Sequence, residues 1–205
     1  KTRKIKCENF LRYQKMKGNS VLFSNYSIEK NKNDSEKDNE SVENETTNSS
    51  SSISLKGNSQ PYQPAYSVYG KMVKEDILRG IYKPGVGYSV NPTARNLSTM
   101  VSGNYIVSKN YNVKVPYVIT IDGEVIIGSR NGNGKTPSKT PTPHPTLIGG
   151  TNPKVKMAGI LDIRGGKIYS YDNCSGHYRP NIKSMKWADA AFKDYPKHKN
   201  FKGGK

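Results

Sequence analysis

The stretch MAGILDIRGGKIYSY, residues 157–171, decides the fold of this chain. Two runs rich in Ile, Leu and Tyr, at 157–163 and 167–171, flank the pair Gly165-Gly166. β-Branched and aromatic residues favour strands, and a two-residue glycine turn supplies the positive φ angles that a tight hairpin needs. The stretch therefore predicts an antiparallel β-hairpin.

A second pair of strand-like runs lies upstream, at residues 115–121 and 124–127, on either side of Asp122-Gly123. An Asp-Gly pair is a two-residue hairpin signal because both central positions of such a turn adopt positive φ. A further run rich in Val, Ile and Tyr, at 104–108, predicts another strand. We therefore expect at least two antiparallel hairpins.

Two stretches predict helices. Residues 67–85 carry apolar side chains at roughly helical spacing and then reach Gly80 and Pro84-Gly85, which end a helix. Those apolar side chains are Val68, Met72, Ile77 and Leu78. Residues 184–195 predict an amphipathic helix with Met185, Trp187, Ala188, Ala191 and Phe192 toward the core. The expected fold class is α+β, with antiparallel β-hairpins forming a small split sheet with flanking helices.

Composition divides the chain into three parts. Residues 1–26 form a basic N-terminal segment, interpreted as the tail of an upstream carrier, because the chain begins KTRKIKC without an initiator Met. Residues 27–60 are mostly Asn, Ser, Glu and Lys, and such a segment buries too little apolar surface to offset the entropy of ordering. We expect it to be a disordered linker. Residues 61–205 are predicted to be the basic, catalytic domain.

The charge of the chain favours an anionic partner. Lys and Arg number 33 against 16 Asp and Glu, a net charge of +17, and residues 61–205 carry 22 basic against 8 acidic residues. No run of eighteen apolar residues is present, so no membrane span is expected. The two cysteines, Cys7 and Cys174, make no metal or redox spacing, and two free thiols are favoured over a disulfide between them.

Two further segments are expected to pack little. Residues 129–154 are rich in Gly, Pro, Thr and Lys and predict a long, mobile, basic loop. Residues 196–205 are basic and are predicted to fray. The run GSRNGNGKT, at 128–136, lacks the glycine spacing and the strand-to-helix context of a phosphate-binding loop.

The histidines are the first candidates for chemistry. His144, His177 and His198 are the three in the chain, and no Cys or carboxylate pair stands near them at metal-ligand spacing, so no metal is expected. His144 and His177 both lie beside glycine or proline in a region with few acids. Histidine titrates near neutral pH, so both are candidate site residues as well as candidate structural ones.

The turn sequence NCSGHYRP, residues 173–180, preceded by HPTLIGG at 144–150, resembles the C-terminal toxin modules of bacterial Rhs-type and related polymorphic toxins. Those modules end with Asn-x-Ser-Gly-His-Tyr-x-Pro, and the resemblance covers residues 116–188. It implies an effector domain carried by an upstream delivery polypeptide, secreted or delivered into a target cell, and acting in the cytoplasm. The implied partners are a target protein or RNA and a cognate immunity protein.

GKIYSYDNCSGHY, residues 166–178, is also similar in layout to ADP-ribosyltransferases of the diphtheria and poly(ADP-ribose) polymerase types. That resemblance implies NAD as the substrate and mono-ADP-ribosylation of a cytoplasmic macromolecule. On it, Tyr169 and Tyr178 sandwich nicotinamide, whose cationic ring an aromatic face attracts. The remaining residues that it places at NAD are His144, Thr146, Asn173 and Ser175.

The catalytic residues implied by the same resemblance are His177, Tyr178 and Glu124. The chain departs from the family pattern because Pro145 stands where glycine is expected and because no Glu follows Glu124. The two tyrosines are also nine residues apart, which is shorter than the family spacing. Asp189 or Asp194 would have to replace the catalytic Glu if Glu124 does not serve, or the enzyme works without one.

Two alternatives use the same residues differently. A metal-independent ribonuclease needs a base, an acid and a cation for the phosphorane, which His144, His177 and either Arg179 or Lys167 could supply. Basic charge and stacking tyrosines suit RNA as well as NAD. The second alternative is a non-enzymatic nucleic-acid-binding module in which the SGHY turn is structural.

Overall fold

The computed structural model of the chain describes residues 59–108, 111–130 and 141–204. The predicted N-terminal segment at 1–26 lies outside these residues, as does the linker up to residue 58. The first half of the predicted long loop, at 131–140, also lies outside them.

The described residues form two α-helices, nine β-strands and three 3₁₀ turns. The helices are α1 (Gly70–Leu78) and α2 (Met185–Ala191). The strands are β1 (Tyr82–Lys83), β2 (Gly87–Tyr88), β3 (Arg95–Asn96), β4 (Val101–Ser102), β5 (Tyr105–Ile106), β6 (Val113–Ile119), β7 (Val125–Ile127), β8 (Met157–Arg164) and β9 (Lys167–Tyr171). The 3₁₀ turns are Leu97–Met100, His144–Leu147 and Ile182–Ser184. The predicted α+β class is confirmed.

Five strands make one antiparallel sheet in the order β3-β7-β6-β8-β9. Its centre is the long β6–β8 pair, which runs from Val113 opposite Ile163 to Ile119 opposite Met157. Strands β1 and β2 form one separate two-stranded ribbon, and β4 and β5 form another. No helix in the described part of the chain is long and apolar enough to cross a membrane.

The two predicted hairpins are present, with one difference in turn geometry. Gly165 and Gly166 have φ of +56° and +69° and connect Arg164 to its partner Lys167, so this two-residue turn is confirmed. In the β6–β7 hairpin only Gly123 has positive φ, at +93°. The prediction of a two-residue Asp122-Gly123 turn is wrong, because the loop is longer and closes through the backbone amide of Thr120, which donates to the Glu124 carbonyl at 2.9 Å.

One face of the sheet packs against α2, and we call it the helix face. Phe192 and Ala188 are fully buried there, and the ring of Phe192 meets that of Tyr117 edge-on at 5.1 Å. The predicted amphipathic helix is confirmed, although it ends at Ala191. The buried strand residues of this face are Tyr117, Ile119, Val125, Ile127, Met157, Leu161, Ile163, Ile168 and Tyr171.

The opposite face is covered by turns instead of a helix, and we call it the turn face. Its apolar cluster consists of Tyr66, Val118, Leu147, Val155, Ala158 and Tyr178. Residues 143–147 are all buried, and Gly150 exchanges two 2.9 Å backbone hydrogen bonds with Tyr88. The prediction that 141–154 packs little is therefore wrong.

The C-terminal segment is also more ordered than its composition predicts. The backbone amide of His198 donates to Ile168, and that of Lys202 donates to Tyr169, at 2.9 and 2.8 Å. An isolated parallel bridge joins Tyr171 to Gly204. The expectation of a frayed tail is wrong up to residue 204, because the free edge of β9 offers backbone groups that the tail satisfies.

Candidate active site

The SGHY turn is held by its own hydrogen bonds. The Arg179 amide donates to the Ser175 carbonyl at 2.8 Å, and the Tyr178 amide donates to Ser175 Oγ at 3.2 Å. Asn173 Nδ2 donates to the Pro180 carbonyl at 3.0 Å. Asn173 and Ser175, which the resemblance places at NAD, therefore form hydrogen bonds that shape the turn carrying His177.

Arg179 marks this turn as strained. Among the described residues it is the one non-glycine residue with positive φ, at +47°. That conformation costs an L-residue roughly 1–2 kcal/mol. Its Nε donates to the Gly176 carbonyl at 3.1 Å, which helps to hold the conformation. Backbone strain of this kind clusters at functional sites, so the turn is a candidate site on geometry as well as on sequence.

Helix α1 contributes a buried carboxylate to the turn. Asp76 is 0% exposed and is the one buried residue of this helix, whereas Ile77 and Leu78 are exposed. Asp76 Oδ2 contacts Nε2 of His177 at 3.0 Å and accepts from the Tyr88 hydroxyl at 2.8 Å. Its Oδ1 has no hydrogen-bond partner among the described residues. A buried carboxylate is costly unless it is paired, so these contacts hold His177 and Tyr88 tightly.

The Asp76 bond determines which nitrogen of His177 is basic. A carboxylate only accepts hydrogen bonds, so Nε2 of His177 carries the hydrogen of the 3.0 Å contact. Whenever the ring is neutral, its lone pair is therefore on Nδ1, and no described residue bonds that atom. The side chain is 10% exposed. A base oriented by a carboxylate is the arrangement that enzymes use to abstract a proton.

Tyr88 is held as a neutral hydrogen-bond donor. Burial, together with the hydrogen bond to Asp76 and the charge of that carboxylate, raises the pKa of Tyr88 far above its usual range. The hydroxyl therefore stays protonated at any physiological pH and keeps donating to Asp76 Oδ2.

His144 lies in the same region and is neutral. Its Nε2 contacts the Gly159 carbonyl at 2.9 Å, so Nε2 donates and Nδ1 is an acceptor. Burial, and then the charge of Arg130, lower the pKa of His144 to about 3, with a smaller contribution from His177. Nδ1 is buried and has no partner among the described residues. The ring is thus a buried hydrogen-bond acceptor and not a proton shuttle.

Arg130 brings positive charge to this cluster. Burial lowers the pKa of its guanidinium, which nevertheless acts electrostatically on His144. The Arg130 carbonyl accepts from the Thr142 amide at 3.1 Å, which ties the arginine to the start of the 143–147 segment. A guanidinium suits a phosphate group because its planar fork of N–H donors matches the phosphate oxygens.

Close backbone contacts bring these segments together. The Tyr69 amide, at the start of α1, donates to the His177 carbonyl at 2.7 Å. A Cβ atom at Gly159 would overlap the carbonyl oxygen of Asp172, so only glycine allows β8 to approach the start of the SGHY turn. The Asp172 carboxylate accepts from the Ile160 amide at 2.8 Å across the same contact.

The two tyrosines predicted to sandwich nicotinamide have occupied rings. Tyr178 is 0% exposed, packs in the apolar cluster of the turn face and donates its hydroxyl to the Pro153 carbonyl at 3.1 Å. The Arg164 guanidinium lies 3.5 Å from the ring centre of Tyr169, and the His198 ring lies 5.6 Å from it. In this conformation the two rings do not form a pair of free, facing surfaces between which nicotinamide could stack.

Thr146 and Glu124 also have local contacts. Thr146 Oγ1 donates to the Pro143 carbonyl at 2.7 Å, inside the buried 3₁₀ turn that carries His144. Glu124 is exposed in the β6–β7 loop and accepts from Asn96 Nδ2 at 2.9 Å. No described contact joins Glu124 to the histidines.

The alternative residues of the sequence lie elsewhere too. Asp189 accepts from the Tyr171 hydroxyl at 2.7 Å on the helix face, and Asp194 acts electrostatically on Lys197. The Lys167 ammonium lies 4.9 Å from the ring centre of Tyr105, on the β9 side of the Gly165-Gly166 turn.

Sequence reasoning found the two histidines of this cluster and missed Asp76, Tyr88 and Arg130. A signal for Asp76 was available, because residues 68, 72 and 76 share one helical stripe and the third position is acidic. A carboxylate in an apolar stripe is a mark of a buried charge with a partner. No comparable signal singled out Tyr88 or Arg130.

Neither a metal-ligand group nor a free thiol is described near the site. Residues 59–108, 111–130 and 141–204 bring together no three His, Cys, Asp or Glu side chains as a metal-ligand set. Cys174, expected to be a free thiol, is disulfide-bonded.

Comparison with known proteins adds no relative: no family model, curated protein or solved structure matches the chain. The cluster consists of a carboxylate-oriented imidazole, a neutral buried imidazole acceptor and a half-buried guanidinium. That combination suits proton transfer on an anionic substrate with hydroxyl groups.

Proposed function

We propose that this chain is a metal-independent ribonuclease of the toxin type, with His177 as the acid–base catalyst and Asp76 as the residue that orients it. The observation that carries the proposal is the 3.0 Å contact between Nε2 of His177 and the fully buried Asp76 carboxylate, which leaves Nδ1 as the basic nitrogen. An oriented acid–base group contributes about 10²–10⁴ in rate. The excess positive charge of residues 61–205 favours a polyanionic substrate.

The proposed reaction needs one proton acceptor that later becomes a donor. Nδ1 of His177 takes the proton of a ribose 2′-hydroxyl, and the 2′-oxygen forms a bond to the adjacent phosphorus. The bond from phosphorus to the 5′-oxygen breaks, and the imidazolium returns its proton to that leaving oxygen. The products are a 2′,3′-cyclic phosphate and a 5′-hydroxyl. Asp76 stabilises the transient imidazolium, as a carboxylate does in other oriented dyads.

His144 and Arg130 have supporting roles in this proposal. Nδ1 of His144 keeps its lone pair because the ring stays neutral, and it accepts a hydrogen bond from a sugar hydroxyl once the buried ring is uncovered. The Arg130 guanidinium stabilises the charge that develops on the phosphorane oxygens. Both residues thus act on the substrate without moving a proton.

An NAD-dependent ADP-ribosyltransferase is the second candidate. The neutral His144 acceptor favours it, because a ribose hydroxyl of NAD fits the same nitrogen. It ranks second because the rings of Tyr178 and Tyr169 are occupied and Glu124 has no described contact with the histidines. This candidate requires both tyrosine rings to change their surroundings when NAD binds.

The test incubates the full chain with single-stranded RNA in EDTA buffer that contains no NAD. We expect fragments with 2′,3′-cyclic phosphate ends, and His177→Ala should reduce the rate by about 10²-fold or more. His198→Ala is the matched histidine control and should keep the rate, because His198 packs against Tyr169 beside β9.

Two outcomes of this test would contradict the proposal. RNA cleavage at an unchanged rate by His177→Ala would show that His177 is not the acid–base catalyst. Transfer of label from NAD to protein or RNA, without RNA cleavage in NAD-free buffer, would establish the second candidate instead.

We propose further that the chain acts as a toxin in the cytoplasm of a recipient cell, on the basis of its resemblance to polymorphic-toxin modules. Expression of the chain in a bacterial or eukaryotic cytoplasm should arrest growth. His177→Ala should relieve the arrest at equal protein level. Normal growth with the unaltered chain in both cell types would count against a toxin.

A further inference from the structure

A strip of exposed aromatic and basic side chains begins beside His177. The Tyr69 amide is bonded to the His177 carbonyl at 2.7 Å, and the Tyr69 ring is 40% exposed. The Arg179 guanidinium lies over that ring, 4.2 Å from its centre. The strained backbone of Arg179 therefore places its cation at the edge of the candidate active site.

The far end of the strip is a second group of the same kind. The Lys186 ammonium lies 5.2 Å from the ring centre of Tyr62 and 5.0 Å from that of Trp187. The Lys156 ammonium lies 5.1 Å from the Trp187 ring centre. Tyr62 is 41% exposed, and Lys186 is exposed on the outer side of α2.

Hydrogen bonds join the chain segments that carry the two groups of aromatic and basic side chains. The Gln60 amide donates to the Arg179 carbonyl at 2.8 Å, and Asn181 Nδ2 donates to the Gln60 carbonyl at 3.2 Å. The segment that leads to Tyr62 and Tyr69 thus lies beside the segment that runs from the SGHY turn into α2. We call the surface formed by Tyr62, Tyr69, Lys156, Arg179, Lys186 and Trp187 the aromatic strip.

The segments that form the aromatic strip carry only basic charged side chains. The three segments that form it, residues 59–74, 141–161 and 173–188, contain no Asp or Glu. They contain seven basic residues: Lys71, Lys74, Lys154, Lys156, Arg179, Lys183 and Lys186. A surface of this kind is electrostatically complementary to a polyanion along its whole length.

We infer that the aromatic strip binds single-stranded RNA and leads it to His177. Bases stack on the exposed rings of Tyr62 and Tyr69 and on the accessible part of the half-buried Trp187 ring, and the phosphates lie near the cations beside each ring. Alternating aromatic and basic groups are how sequence-tolerant single-strand binders work, because every base has a flat face to offer. A duplex hides those faces, so the strip selects single strands. The inference rests on the proposed ribonuclease for the identity of the sugar.

The experiment measures binding of a fluorescent oligouridylate of about 12 nucleotides, which is long enough to contact more than one ring of the strip. The full chain carries His177→Ala so that the probe survives. Tyr62→Ala should raise Kd about tenfold, since one stacked base is lost. Lys186→Gln should raise Kd and reduce the slope of log Kd against log salt by about 1.

A matched pair of controls lies outside the strip. Tyr105 is 51% exposed and also pairs with a lysine, Lys167, at 4.9 Å. Tyr105→Ala and Lys167→Gln should leave Kd within about twofold, a change too small to be the loss of a stacked base. Equal loss of affinity in the strip and control variants would overturn the inference, because the binding would then come from general charge.

Four further results are decisive. Equal affinity for a duplex of the same length, or equal binding to vesicles of anionic phospholipid that depends on Tyr62 and Lys186, would overturn the inference. Binding of the oligouridylate that depends on the strip, together with no RNA cleavage by the unaltered chain, would support the strip and reject the proposed ribonuclease. Cleavage that depends on His177, with Kd unchanged in Tyr62→Ala and Lys186→Gln, would reject the strip alone.

Discussion

The two faces of the five-stranded sheet are built in different ways. The helix face is an apolar core in which α2 covers buried strand residues, including the fully buried Phe192. The turn face has a smaller apolar cluster, and beside it lie the buried polar side chains of Asp76, His144 and His177. The first face is held mainly by apolar burial, with few hydrogen bonds, whereas the second depends more on individual hydrogen bonds. On the proposed function, the helix face would supply stability and the turn face would supply chemistry.

The largest expected effect is at Gly159 in β8, where the strand approaches the carbonyl of Asp172 beside Tyr117. Gly159→Ala places a Cβ on the carbonyl of Asp172 and forces backbone to move, so we expect a loss of more than about 4 kcal/mol in the free energy of unfolding. Urea unfolding measures the loss. Gly176→Ala is the matched control, because no atom lies within 4 Å of the added Cβ. Equal stability of the two variants would show that the strand and turn are not in close contact.

The next largest effect separates stability from activity. Phe192→Ala on the helix face should cost about 3–5 kcal/mol, through lost burial and a cavity. The folded fraction should retain its specific activity on RNA, because Phe192 contacts none of the site residues named above. His177→Ala should cost only about 1–3 kcal/mol, from the unpaired carboxylate, and should abolish cleavage. Urea unfolding and RNA cleavage are measured on both variants. If each variant loses stability and activity in the same proportion, the two faces do not have separate roles.

The helix face was accessible to sequence reasoning because its information is local. Val, Ile and Tyr runs with glycine turns predict the strands, and apolar spacing predicts α2. The tail beyond Pro196 was missed because a basic composition says nothing about an open strand edge that needs partners. The β6–β7 turn was predicted too short because Asp122 does not take the positive φ that an Asp-Gly pair favours.

The turn face was only partly accessible. The SGHY signature drew attention to His177, but Asp76 is 101 residues away and reaches it only in the folded chain. The expectation that Tyr169 and Tyr178 sandwich nicotinamide followed a family layout, and such a layout does not reveal which aromatic rings are buried in the core. The roles of Asn173 and Ser175 as turn-forming residues depend on backbone geometry that spacing alone does not reveal.

A third prediction concerns acid sensitivity on the turn face. Because burial lowers the pKa of His144 to about 3, the unfolded chain takes up a proton near its ordinary pKa while the folded chain does not. Stability is therefore full above about pH 6.5 and falls with acidification, by about 1.4 kcal/mol per pH unit, or about 2 kcal/mol by pH 5.

His144→Gln removes this titration, because glutamine is neutral and can still donate to the Gly159 carbonyl. Urea unfolding at pH 7 and pH 5 should show a smaller loss in the variant than in the unaltered chain. Equal losses in both proteins would mean that His144 is protonated in the folded state.

The smallest expected effect is at the second partner of Asp76. Tyr88→Phe removes the hydroxyl that donates to Oδ2 at 2.8 Å, so we expect a loss of about 1 kcal/mol in the free energy of unfolding. The same loss of a positioning contact should reduce RNA cleavage severalfold, well short of the loss in His177→Ala. Tyr82→Phe serves as the control, since the Tyr82 hydroxyl donates to the Thr151 carbonyl at an exposed position. An activity loss as large as that of His177→Ala would make Tyr88 itself a reacting group.

The most direct measurement is the rate of RNA cleavage by Asp76→Asn. The amide keeps an oxygen for Nε2 of His177 and for the Tyr88 hydroxyl, and its nitrogen takes the place of Oδ1, which has no described partner. The variant therefore removes the charge with little change in shape. We predict that kcat on single-stranded RNA falls by about 10²-fold while KM and the urea midpoint stay close to those of the unaltered chain. An unchanged kcat in a folded Asp76→Asn protein would contradict the account, because His177 would then not depend on the buried carboxylate.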